Sequence, residues 1–208
     1  DENENEMSFT LSNINVSIAN SLRRTLLDNI DIVVFKTSPN SENDCNILNN
    51  TTRFNDEVIK QRLSCIPIGI KDFSNIDNFE LHVNCENTSK DIQYVTTEHF
   101  NIFDKAINKY VSSEEREKIF PKNKITGNYI QLVRLRPRIS EDIIGEELKL
   151  TCKMSISNAG NDYMFNSVCK STYGFTCDKI KCDELWVTKE QNLKDEGLDD
   201  DKIEFLKK

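Results

Sequence analysis

The sequence is short of the groups on which most enzymes rely. Two histidines, His82 and His99, occur in 208 residues, and neither makes an obvious nucleophile pair with a cysteine. A Cys–His pair assembled by folding stays open at this stage. No GxGxxG, phosphate-loop lysine motif, HExxH or GxSxG is present, so the usual dinucleotide, nucleotide, zinc-protease and esterase signatures are absent. No apolar run approaches the roughly 20 residues of a membrane-spanning helix. The first six residues, Asp1 to Glu6, are acidic and lack the basic and apolar regions of a signal peptide, and they read as a disordered leader. Positive charge is also scarce. Lys and Arg total 27 against 35 Asp and Glu, a net charge of -8, which argues against extensive phosphate contact and hence against direct nucleic-acid binding.

Cysteine is plentiful, but it lacks the spacing of a metal site. The seven cysteines (45, 65, 85, 152, 169, 177 and 182) are odd in number and scattered, as suits reduced thiols in an intracellular protein. Cys169, Cys177 and Cys182 are the closest group, and their gaps of seven and four residues do not make paired CxxC knuckles. No metal and no other cofactor is expected in this chain. Arg134, Arg136 and Arg138 form the one visible basic cluster. Pro137 interrupts the strand that would align them, so they read as a solvated edge or protein-contact patch. Asp56 and Glu57 are adjacent, and on a helix adjacent side chains point about 100° apart, so they form no facing acid–base dyad.

What the sequence does offer is helix and strand periodicity. Val16 to Leu27 sets Ile18, Ala19, Leu22 and Leu26 at three- and four-residue steps on one face, with Arg23 and Arg24 off its centre. Ser12, Asn13 and Asn15 precede it as candidate caps. Met7–Leu11 alternates like a short strand, and Ile30–Thr37, rich in β-branched residues, reads as a buried one. Ser38 to Asp44 is loop composition and a first domain boundary. Ile47–Thr52 is a strand candidate. Asn55 caps a second helix running through Leu63, with acids in its first turn. Phe79–Val83 is expected to pair with Ile92–Thr96, and Phe103–Tyr110 to be helical. Ser112 opens a short helical turn through Ile119. Tyr129–Val133, Leu148–Met154 and Ser167–Phe175 are strand candidates, and the charged tail from Cys177 shows a weak helical pattern near Ile203 and Leu206.

Two of these stretches resemble one family. Ile18-Ala19-Asn20-Ser21-Leu22-Arg23-Arg24-Thr25-Leu26-Leu27 resembles the signature helix of the α-like subunits of multisubunit RNA polymerases, the group of bacterial α, its archaeal counterpart and the third subunit of eukaryotic RNA polymerase II. Asn50 to Ile68, with Asn50-Thr51-Thr52, Asp56-Glu57, Arg62-Leu63 and Ile66-Pro67-Ile68, is similar to a second family string. Gly145-Glu146-Glu147-Leu148-Lys149-Leu150 resembles a third, and Glu80–Val83 and Tyr94–Thr97 look like insert strands. The likeness spans about Phe9 to Phe175. Tyr173–Asp178 and the Asn-rich composition look most like versions from large eukaryotic DNA viruses.

The resemblance implies an α+β fold with a discontinuous dimerisation domain, helices on an antiparallel sheet, at 7–38 and 166–208. A mostly β insert would occupy 39–165. It implies a non-catalytic assembly subunit of a DNA-directed RNA polymerase that pairs with a smaller α-like subunit through Ile18, Ala19, Leu22 and Leu26. Arg23, Arg24, Asp56, Glu57 and Arg62 would dock the large subunits or make contacts within the insert. Mg2+ and nucleotide addition would belong to those large subunits. The family's closing strand and long C-terminal helix have no convincing counterpart before Lys208, which points to a fragment of a longer polypeptide, a fusion to the partner subunit being one arrangement. The expected location is intracellular: the nucleus, or a cytoplasmic factory and virion for a viral protein. Two rivals stand beside this reading: a regulatory binding protein with a borrowed α-like fold, and a Cys/His enzyme.

Overall fold

A computed structural model describes residues 6–138, 140, 145–199, 202–203 and 206. The chain divides into two compact units, residues 1–171 and 172–208. The expected boundaries at 38/39 and 165/166 both fall inside the first unit. Most of the acidic leader, residues 1–5, lies outside the described residues.

Three helices of the first unit begin where the side-chain chemistry of their caps dictates. Helix α1 (Val16–Asp28) starts at Asn15, whose side chain accepts from the Ser17 amide. Helix α2 (Asp56–Ser64) starts at Asn55, which accepts from the Val58 amide at 3.2 Å, with Asp56 and Glu57 at its positive end. Helix α3 (Ser113–Ile119) starts on a reciprocal capping box between Ser112 and Glu115.

Strands β1 (Ile32–Val34), β2 (Cys45–Asn50), β3 (Phe79–Glu86), β4 (Gln93–Thr96), β5 (Asn101–Asp104), β6 (Lys109–Tyr110), β7 (Gln131–Leu135), β8 (Glu147–Lys153) and β9 (Ser155–Ser157) are all paired antiparallel. Five of them form one sheet in the order β2-β8-β3-β5-β6, while β1 pairs with β9 and β4 with β7. The fold is thus mixed helix and antiparallel sheet. Alternation decides the sheet's inner face: Leu81, Val83 and Cys85 of β3 and Leu148, Leu150 and Cys152 of β8 are all buried. Onto that face pack Ile59 and Leu63 of α2, Leu132 and Leu135 of β7, and an aromatic trio. Phe35, just past β1, meets Phe100 edge-on and Phe120 face-on, each at 6.4 Å, and Phe100 meets Phe120 edge-on at 5.3 Å.

Several expectations are corrected. Met7–Leu11 forms a single bridge residue and no strand. The buried strand expected over Ile30–Thr37 shortens to three residues, although Phe35 and Thr37 beyond it are buried as well. The partner of β3 is not 92–96: β3 pairs with β5 and β8, and β4 pairs with β7 across an intervening stretch that includes α3. Phe103–Tyr110 is the β5–β6 hairpin rather than a helix. Asp104 accepts from the Ala106 amide at 2.8 Å, and Asn108 takes a left-handed backbone, φ 53°, at the turn. Ser167–Phe175 is irregular. The second unit holds a 17-residue helix, α4 (Lys179–Asp195), that the sequence pattern does not announce.

Candidate functional site

The candidate interface helix, α1, buries none of its residues. Its stripe is exposed at the N-terminal end, where Ile18 is 57% and Leu22 36% accessible, and half-buried at Ala19, Leu26 and Leu27. The C-terminal end is tied down: the Asn29 amide donates to the Thr25 carbonyl at 2.9 Å, and the Gly160 amide donates to the Asp28 carbonyl at 2.8 Å. Met7, Phe9, Leu11 and Ile14, just before α1, and Val16 at its start are also exposed. Isolated exposed apolar residues are ordinary, but a run of them on and beside one helix is what interaction surfaces show. Arg23 donates to Asn20 Oδ1 at 3.1 Å, one turn back along α1, and Arg24 is exposed.

Helix α2 is used differently. Ile59, Leu63 and Ser64 are buried, and each apolar side chain so buried contributes about 1.5–3 kcal/mol. Ser64 and Thr37 share a hydrogen bond, and their hydroxyls lie 3.1 and 3.2 Å from the Lys60 carbonyl oxygen. Arg62 reaches across to β7, with Nε donating to the Leu132 carbonyl at 2.6 Å and a terminal guanidinium nitrogen to the Gln131 carbonyl at 3.1 Å. Its guanidinium also lies 5.6 Å from the centre of the Phe54 ring. Arg62 therefore ties α2 to β7 within the chain. Asp56 accepts from Asn50 Nδ2 at 2.8 Å, and both Asp56 and Glu57 are exposed.

Two asparagines to which the sequence assigned no role hold the motifs together. Asn50 Nδ2 donates to the Phe54 carbonyl and to Asp56, while its Oδ1 accepts from the Thr52 amide at 3.0 Å and hydroxyl at 2.7 Å. One side chain thus closes the loop that delivers the chain into α2. Asn87, fully buried, donates to the Asp91 and Leu135 carbonyls and accepts from the Ser89 amide and hydroxyl. Its own carbonyl oxygen would lie 1.9 Å from any Cβ at position 145, which is why Gly145 stands there. Glu146 follows, 7% exposed, bridging the Arg136 amide at 2.7 Å and the Arg136 guanidinium. The usable signal for these residues is local: Asn two residues before Thr or Ser is the pattern of a side chain closing its own turn.

Neither histidine meets a cysteine. His82 Nδ1 lies 3.1 Å from the Tyr110 hydroxyl on the open face of the sheet, stacked on Phe103, and His99 Nδ1 accepts from the Thr96 amide at 3.2 Å. Cys45 and Cys152 face each other across β2 and β8, both buried. Their shared hydrogen bond lowers the Cys45 thiol from its ordinary value and, with burial, raises that of Cys152, so the pair is packed and carries no exposed nucleophile. Among the described residues, no group of three or more His, Cys, Asp or Glu could hold a metal ion, and no helix is long and apolar enough to cross a membrane. Strand β7 ends at Leu135, before Pro137, and Arg136 is engaged by Glu146, so the three arginines form no continuous basic strip.

No family model matches the chain. The chain is 27% identical over 193 residues to "DNA-directed RNA polymerases I and III subunit rpac1" of Dictyostelium discoideum, a match covering 83% of this chain and 50% of that protein. The chain thus spans about half the length of the curated relative it matches. The relative belongs to a cellular polymerase, so the match lends nothing to the viral versions. The chain is thus similar to an RNA polymerase subunit over most of its own length.

Proposed function

We propose that the chain is a non-catalytic assembly subunit of a DNA-directed RNA polymerase. It heterodimerises with a smaller α-like subunit through α1 and docks the large subunits that carry Mg2+ and synthesise RNA. One observation carries this reading: a well-capped amphipathic helix whose wording is that of the family's dimerisation helix leaves Ile18 and Leu22 exposed. Covering that stripe would stabilise the pair by about 25 cal/mol per Å2 of apolar surface removed from water. The likeness to the polymerase I and III subunit supports it. On this reading residues 7–38 and 166–208 serve dimerisation and 39–165 are the insert. Arg23, Arg24, Asp56 and Glu57 face the large subunits, Arg62 braces the insert, and the complex works in the nucleus.

Copurification tests this. The tagged chain should bring down the large polymerase subunits together with a smaller α-like one. Arg23→Ala should spare the heterodimer and reduce recovery of the large subunits; a chain that purifies without polymerase would end the reading in favour of a regulatory protein with a borrowed fold.

A further inference from the structure

Four of the seven cysteines are exposed, and two of those four touch. Cys177 Sγ and Cys182 Sγ lie 3.0 Å apart at the start of α4, while Cys65 and Cys169 are single. The helix start itself brings them together. Asp178 is the cap, its side chain accepting from the Lys181 amide at 3.3 Å and its carbonyl from the Cys182 amide at 2.9 Å. Cys177 is therefore the residue before the cap and Cys182 the fourth residue of the helix. These are the two positions that an apolar staple joins across a helix N-terminus. Here both are thiols, in contact and open to solvent. The arrangement lies within the 172–208 unit and needs nothing from the rest of the chain.

We propose that Cys177 and Cys182 are a redox-active dithiol that a low-molecular-weight disulfide, of the glutathione type, converts to an intramolecular disulfide stapling the start of α4. In the first step one protein thiol gives its proton to water and its sulfur attacks a sulfur of the small disulfide. That S–S bond breaks, a mixed disulfide forms, and one small thiolate leaves to take up a proton. In the second step the other protein sulfur, also deprotonated, attacks the protein sulfur of the mixed disulfide. The second small thiol departs and the Cys177–Cys182 bond is made. The two protein thiols lose two protons and two electrons, and the small disulfide gains both as two thiols.

The hydrogen bond with Cys177, and then its charge, push the Cys182 thiol above its ordinary value. Two sulfurs are too few for a closed structural zinc site, which takes four ligands. A disulfide here would close a six-residue segment, 177–182, that already has the closed shape, so the helix start is fixed without rearrangement.

The test uses the full chain, equilibrated with oxidised glutathione, then labelled with a maleimide without reduction and mapped by peptide mass. The expected result is loss of two hydrogens within the peptide that contains Cys177 and Cys182, both lost as labelling sites, with slower amide exchange at 179–185. Cys65 and Cys169 should give only glutathione adducts or free thiols. Cys182→Ser should trap a lasting glutathione adduct on Cys177, and Cys177→Ser one on Cys182. Lasting glutathione adducts on both Cys177 and Cys182, or reaction no faster than at Cys65 and Cys169, would overturn the proposal.

Discussion

Helices α1 and α2 carry the two strongest family-like motifs, and both are capped by an asparagine at the same position relative to the helix. They differ in what covers their apolar faces. Ile59 and Leu63 of α2 sit in the core, and Arg62 on the same helix bonds two carbonyls of β7. Ile18 and Leu22 of α1 stand in solvent, and Arg23 bonds Asn20 within its own helix. A periodic stripe shows that a helix has a face to bury and says nothing of whether the cover is the same chain or another. In α2 the cover is internal. In α1 we assign the cover to a partner subunit.

Truncation should separate the two faces most sharply. Leu63→Ala is expected to lower the unfolding free energy by about 2–5 kcal/mol, as read by urea denaturation, because a fully buried side chain leaves a cavity. Leu22→Ala in the isolated chain should cost under about 0.5 kcal/mol. Equal losses would break the contrast. The arginines come next. Arg62→Ala removes two charge-assisted hydrogen bonds to backbone carbonyls and should cost about 1.5–3 kcal/mol in the same assay. Arg23→Ala removes one part-buried local bond and should cost about 0.2–0.5 kcal/mol. The caps sharpen the comparison at its smallest scale. Asn55→Ala should lower global stability by about 1 kcal/mol. Asn15→Ala should leave the global transition nearly unmoved and speed amide exchange in the first turn of α1, since fraying there uncovers no core.

The same comparison explains what is legible in the sequence. The caps at Asn15, Asn55 and Ser112 and the alternation along β8 are local, and local chemistry decides them. Phe103, Ile107 and Tyr110 have helical spacing, yet the chain turns there, because Asp104 and Asn108 favour turn geometry and β3 offers a partner strand. The pairing of β4 with β7 is invisible to any local pattern, since its partner lies beyond another helix. Helix α4 escapes a periodicity search because Ile180, Leu185 and Val187 do not share one face, and all three are exposed. At the candidate site, the stripe of α1 and the motif around α2 can be read directly. The bonding of Arg62 to β7, the Asn50 loop closure and the need for glycine opposite Asn87 cannot, since each depends on a backbone group brought near only by folding.

The central claim is that the exposed stripe of α1 is a subunit interface. It is tested most directly by co-expressing the chain with the small α-like subunit of its own polymerase and comparing the wild type with Leu22→Glu. The account predicts that the variant retains the far-ultraviolet circular dichroism and urea midpoint of the wild type while its recovery with the partner falls at least tenfold. A variant that folds and captures its partner as well as the wild type would contradict it.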